Sequence, residues 1–158
     1  MNVEFINPFL SAMLNVLATM AQTEATPGKP YIKKDSKARG DVTGIVGLAG
    51  KQAKGSLAIS FSKEAILHIA AKMLGEPATD FNSEIADVVG EITNMVSGGA
   101  KKILADQGFK FAMAIPTTIM GNSHSITHSA SGPVILIPFE IEQGGFFIEV
   151  CLESSEKS

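Results

Sequence analysis

Glu91 and Asn94 lie three residues apart inside Glu84-Ile-Ala-Asp-Val-Val-Gly-Glu-Ile-Thr-Asn-Met-Val96. On a helix, residues at i and i+3 project from one turn. Such a pair sets a negative charge beside a carboxamide, whose oxygen accepts and whose NH2 donates hydrogen bonds without adding charge. The pair belongs to a longer line. Glu84, Asp87, Glu91, Asn94 and Gly98 step by three and four, and so do the apolar Ile85, Val88, Val89, Ile92, Val96 and Ile103. Two parallel lines at this period predict one helix over residues 83–106, with a buried face and a polar stripe beside it.

Two features set that stripe apart from an ordinary solvated face. Asn is a mediocre helix former, so in mid-helix it tends to have a task. Gly98 and Gly99 follow, and each costs up to about 1 kcal/mol against Ala inside a helix. Tight packing on a first helix accounts for Gly99. Gly98 falls on the polar stripe, where approach by another chain is the stronger account.

Other chemistry-bearing residues carry less. His124 and His128 have the i, i+4 spacing of zinc ligands on a helix. Yet Gly121-Asn-Ser-His-Ser-Ile-Thr-His-Ser-Ala-Ser-Gly132 reads as loop and edge strand with no third ligand adjacent, so exposed polar side chains and no metal are expected. Lys29, Lys33, Lys34, Lys37, Arg39, Lys51 and Lys54 place seven of the 13 basic residues in one stretch. Solvated strands and loops, with lysines guarding a sheet edge, are the expectation; steering of an acidic partner is the functional reading. Only Tyr31 interleaves there as an aromatic, which disfavours nucleic acid. Cys151, Ser123 and Ser125 have no visible base beside them and are not read as nucleophiles.

The elements that must position the stripe can be read from pattern. Asn7-Pro8 reads as N-cap and first helical residue of a helix reaching about Ala21. Two prolines and a glycine make residues 23–30 a loop. Strand-like runs follow at residues 31–34, 42–48 and 56–61, the latter two joined by a hairpin at Gly50-Lys-Gln-Ala-Lys-Gly55. Ser62 caps a helix over residues 63–74, which Gly75 and Pro77 stop. Behind the long helix come strand-like runs at residues 111–118, 134–142 and 146–152, with Gln143-Gly-Gly145 turning the last hairpin. Residues 134–142 and 146–152 alternate so that each has one strongly apolar face.

The predicted fold is therefore α+β: one domain over residues 1–158, with a six-stranded, largely antiparallel sheet and helices packed on it. Helix then three strands, a linking helix, then helix and three strands also suggests two degenerate halves. Matching Asn15 to Asn94 sets Ala12 where Glu91 stands, so the second half alone has the complete pair. The 158 residues, 45% hydrophobic and 18% charged, suffice for a substantial core. The net charge of -3 argues against nucleic acid as main partner. A single cysteine rules out a disulfide framework and fits a reducing cytoplasm. Neither a signal peptide nor a membrane span is visible, so a soluble, cytoplasmic chain is expected.

Four blocks resemble the CheC/CheX/FliY family of chemotaxis phosphatases, and within it the CheX-type members. They are Asn7-Pro-Phe-Leu-Ser-Ala-Met-Leu-Asn-Val-Leu-Ala-Thr-Met20, Gly40-Asp-Val-Thr-Gly-Ile-Val-Gly-Leu48, Glu84 to Val96 as quoted, and Pro133-Val-Ile-Leu-Ile-Pro-Phe139. The resemblance spans nearly the whole chain in the family's order. The family's signature, Glu-x-x-Asn on an exposed helix, falls on Glu91-Ile-Thr-Asn94. CheX-type members carry it only in the second half, and Ala12 agrees. The resemblance implies hydrolysis of the aspartyl phosphate on a CheY-type response regulator, with Asn94 orienting water and Glu91 anchoring the receiver lysine. It implies no cofactor in this chain, Mg2+ being held by the receiver, and a homodimer. The rival expectation is a non-catalytic receiver-binding or flagellar-switch-type module; the presence of both Glu91 and Asn94 favours catalysis.

Overall fold

A computed structural model describes residues 3–51, 53–121, 124–128 and 132–154. The elements run α1 (Val3–Met20), β1 (Thr26–Pro27), β2 (Tyr31–Lys33), β3 (Val42–Gly50), β4 (Ala53–Phe61), α2 (Lys63–Leu74), α3 (Ser83–Asp106), β5 (Phe111–Met113), β6 (Thr117–Met120), β7 (Val134–Ile141) and β8 (Gly144–Ser154). The α+β class holds, and every strand pairing is antiparallel. The sheet has eight strands where six were expected. Thr26–Pro27 adds a short strand inside the expected loop. The run at 111–118 is broken into β5 and β6, which both pair with β3. Pro116 lies in the break, where its missing N–H could not have served the ladder.

The expected caps hold for α2 and fail for α1, and α3 has a cap that the sequence reading did not name. Ser62 Oγ accepts from the Ala65 N–H at 3.2 Å, and Gly75 closes α2 in the left-handed conformation at φ 73°. Asn82 Oδ1 caps α3 by accepting from the Ile85 N–H at 3.1 Å. Asn7 is no cap: α1 begins at Val3 and carries Pro8 inside it. Pro8 lies only five residues beyond that start, near the turn whose N–H groups have no helical partner. The last hairpin turns at Glu142-Gln143 rather than 143–145, since Ile141 pairs with Gly144.

The strand order β1-β7-β8-β4-β3-β5 has β2 also on β7 and β6 also on β3. The order reads alike from both ends. β4 and β8 form the centre, each flanked by its own hairpin partner, and each half lends its short strands to the other half's hairpin. This is the two-half architecture expressed as topology.

The main core lies between the helices and one sheet face. Met13 and Leu17 of α1, Ile66 and Ile69 of α2, and Ile85, Val89, Ile92 and Val96 of α3 meet Leu57, Ile59, Phe61, Phe139, Phe146 and Ile148 from the strands. The Phe139 and Phe146 rings stack at 4.8 Å. Close approach seats α3 on β3: a Cβ at Gly44 would run into Thr93 and stand 3.1 Å from Val89.

The opposite sheet face holds a second, polar interior. Residues 34–41 and 124–128 cross it together, joined by a Lys37–Ser125 bridge and by the Ile126 N–H donating to the Ser36 carbonyl at 2.7 Å. Beneath them Lys33 Nζ donates to Glu149 Oε2 at 2.8 Å, with both side chains only 1% exposed. His128 Nε2 donates to the other Glu149 oxygen at 3.2 Å, and its Nδ1 shares a hydrogen bond with Ser56 Oγ. His124 Nδ1 donates to the Gly121 carbonyl at 2.7 Å, and its Nε2 bonds Thr43 Oγ1, itself bonded to Ser60.

Two expectations are thereby corrected. The histidines are not merely exposed polar residues, and Lys33 is not one of the solvated lysines. Sheet polarity decides this: Lys33, Ser56 and Glu149 share the non-helical face, and the crossing segments close over them. The rest of the basic stretch behaves as expected, with Lys29, Lys34, Lys37, Lys51 and Lys54 exposed. Arg39 forks onto Asp35 at 3.0 Å, and this hydrogen bonding holds the Asp35 carboxyl below its usual range.

Candidate active site

Helix α3 sorts its residues as its period demands. Ile85, Val88, Val89, Ile92 and Val96 are buried, while Glu84, Asp87, Glu91 and Asn94 are exposed and Gly98 is half-buried. Thr93 and Ser97 are buried too; their hydroxyls donate to the carbonyls one turn back, Val89 and Thr93, each at 2.8 Å. The functional stripe thus rides on a helix whose other side is committed to the core.

Glu91 and Asn94 form part of one wall of an open groove of about 350 Å³, with Ala86, Asp87 and Gly90 completing the helical side. Ile115, Pro116 and Thr118 form the facing wall. Thr118 Oγ1 donates to the Ala86 carbonyl at 3.3 Å and ties the two walls. Among the described residues no hydrogen bond or ion pair holds the Glu91 carboxylate or the Asn94 carboxamide. Their polar atoms are left for a partner. The lining carries Asp87 and Glu91 and no basic side chain, so it repels a bare anion and suits a partner that brings its own cation.

The two glycines separate as the helix period suggested. A Cβ at Gly99 would stand 3.1 Å from the Ala12 Cβ, so Gly99 serves the packing of α1 on α3. A Cβ at Gly98 meets nothing within 4 Å. Ala12 is 5% exposed, whereas Asn15 is exposed on α1. A glutamate at position 12 would have to enter the α1–α3 contact, which accounts physically for the incomplete pair in the first half.

The other candidates lie elsewhere. Among the described residues no group of His, Cys, Asp or Glu is arranged to hold a metal. Cys151 is buried with its Sγ 3.7 Å from the Gly132 carbonyl, and burial pushes its thiol up, as does the charge of Glu153. Ser125 sits in the bridge to Lys37, and Ser123 lies outside the described residues. No helix is long and apolar enough to cross a membrane among the described residues. Sequence pattern missed Ile115 and Thr118 as groove residues. The Ile-Pro dipeptide inside an assumed strand was the available signal, since Pro interrupts a ladder.

The fold and the groove define a class before they define a family. The middle domain of FliM from Vibrio alginolyticus and FliY from Thermotoga maritima share this fold at TM-scores of 0.57 and 0.64, with 13% and 15% identity. The nearer relations are specific. The model of the chemotaxis phosphatase CheX matches residues 42–140. A CheC-like superfamily protein from Shewanella sp. PV-4 is 52% identical, covering 97% of this chain and 99% of its own, at TM-score 0.91. CheX from Vibrio vulnificus is 51% identical over 95% and 99%, at TM-score 0.90. The CheX of Borrelia burgdorferi, solved as a complex with CheY, BeF3 and Mg2+, is 28% identical over 96% and 99%, at TM-score 0.82. No curated protein matches. The chain belongs to the CheX chemotaxis phosphatase family.

Proposed function

We propose that this protein hydrolyses the aspartyl phosphate of a CheY-type response regulator, with Asn94 orienting the attacking water and Glu91 anchoring the receiver's active-site lysine. The observation that carries the reading is an exposed Glu91–Asn94 pair with no partner among the described residues, lining an open groove in a CheX-family chain. The Borrelia relative's complex with CheY, BeF3 and Mg2+ supports the partner class.

An acyl phosphate is already activated, so hydrolysis asks chiefly for position and charge stabilisation. The water oxygen forms a bond to phosphorus as the bond from phosphorus to the aspartyl oxygen breaks. The aspartate leaves as carboxylate, and the water proton goes with inorganic phosphate. The Asn94 carboxamide can accept from the water and donate to a phosphoryl oxygen without adding negative charge. Glu91 would repel the phosphate directly, so its role is to hold a cation. Mg2+ belongs to the receiver, where it offsets phosphoryl charge. The test is phosphate release from a panel of phosphorylated CheY receivers, with and without this protein. Accelerated release from at least one is expected; none accelerated would overturn the reading.

A further inference from the structure

We propose that Ile115 is the apolar contact through which the groove recognises its receiver, setting binding while Asn94 sets chemistry. The inference rests on the phosphatase reading of Glu91 and Asn94 and supplies the opposite wall of that site. Ile115 is 89% exposed, more than any other large hydrophobic side chain among the described residues; Ile32, at 56%, comes next. A lone exposed apolar side chain needs no explanation by itself. This one lines the same groove as Asp87, Glu91 and Asn94.

Its backbone is held from both sides. Pro116 follows and restricts Ile115 to extended conformations. The Ala114 N–H donates to the Gly47 carbonyl at 3.1 Å, and Thr118 reaches the Ala86 carbonyl at 3.3 Å. β5 and β6 fix the ends of the segment to β3. A side chain carried on a fixed segment loses little freedom on docking, which favours its use as an anchor.

The groove also selects the chemistry of its occupant. One wall is acidic, with Asp87 and Glu91, and the other is apolar, with Ile115 and Pro116. A free phosphate or a small phosphorylated molecule satisfies neither wall. A protein surface with a cation beside an apolar patch satisfies both, and the receiver's lysine next to its phosphoaspartate meets the first requirement. The second requirement is an apolar patch bordering that lysine, which Ile115 would cover. Buried aliphatic anchors beside charge pairs are where truncation acts on affinity.

The experiment is steady-state dephosphorylation of the receiver that responds in the panel, phosphorylated with acetyl phosphate, by the wild type and the variants Ile115→Ser, Ile115→Val and Asn94→Ala. Ile115→Ser should raise KM by about tenfold or more, the scale of one buried aliphatic side chain, with kcat within about twofold. Ile115→Val should stay near wild type, and Asn94→Ala should lose kcat at similar KM. An unchanged KM in Ile115→Ser beside a crippled Asn94→Ala overturns the docking contact and leaves the phosphatase reading standing. A fall in kcat alone in Ile115→Ser overturns it equally. Full activity in Asn94→Ala removes the reading of the pair, and this inference with it.

Discussion

Glu91 and Asn94 share one turn, and their variants should fail differently. Asn94→Ala should reduce turnover by about 10²-fold or more through lost positioning, while binding to a BeF3-loaded receiver changes little. Asn94→Asp should fail too, because it loses NH2 donors and brings charge toward phosphate. Glu91→Ala should weaken binding as well as turnover, by about 2–5 kcal/mol if its cation is desolvated. Both residues are exposed, so none of these variants should unfold the protein. Gly98 gives a separate test. Gly98→Ala should raise stability by up to about 1 kcal/mol, since its Cβ would meet no neighbouring element within 4 Å among the described residues. If a receiver approaches there, turnover falls as stability rises; equal turnover would return Gly98 to neutral surface. Glu91, Asn94 and Gly98 were legible because a helix writes its faces into sequence at short range. Ile115 and the Lys33–Glu149 pair were not, because their surroundings come from residues distant in the chain; Lys33 and Glu149 are 116 apart.

Among the elements, α2 was legible because Ser62 and Gly75 mark its ends, and α3 because its two lines of apolar and polar residues keep the helical period along its length. The start of α1 was misread because Asn-Pro has the chemistry of a cap, yet the helix extends upstream of it. β5 and β6 were fused in the reading because the apolar Phe111-Ala-Met-Ala-Ile115 runs into the β-branched Thr117-Thr118, and Pro116 between them was passed over; their separate pairings with β3 show the break. Strand β2 is the element whose anchoring is most exposed to mutation. Lys33 fastens it to β8 through a buried ion pair. Lys33→Ala leaves the Glu149 carboxylate buried with, among the described residues, only His128 bonded to it, and should cost about 3–5 kcal/mol. Urea unfolding measures this. Replacing the pair together, as Lys33→Met with Glu149→Gln, should recover much of that loss; a double variant as unstable as Lys33→Ala would show that the ion pair is not the source.

At the scale of the molecule, the two-half plan was legible as element order, and the strand order expresses it about β4 and β8. The crossing of short strands between halves was not legible, because strands 31–33 and 117–120 carry no mark of which hairpin they join. The halves are unequal in chemistry. Asn15 is exposed on α1 as Asn94 is on α3, but its would-be anchor position is the buried Ala12. Asn15→Ala should therefore leave receiver dephosphorylation nearly intact. A loss as large as that of Asn94→Ala, with an unchanged melt, would make the first half catalytic after all.

Of the strands of this sheet, the central β8 is the last in chain order, so it is synthesised after the others. β8 lies between β7 and β4, and its partners include Phe61 paired with Phe146. Until residues 144–154 leave the ribosome, β4 presents an apolar edge with nothing to pair it, and the halves meet without the β4–β8 seam, through α1 on α3 and the short strands β5 and β6 on β3. Pairings so distant in the chain slow folding, and waiting strands are prone to associate wrongly. A chain ended before Gly144 should accordingly collect in chaperone complexes or inclusion bodies. A cooperative unfolding transition from such a fragment would show that the first half closes without its central neighbour.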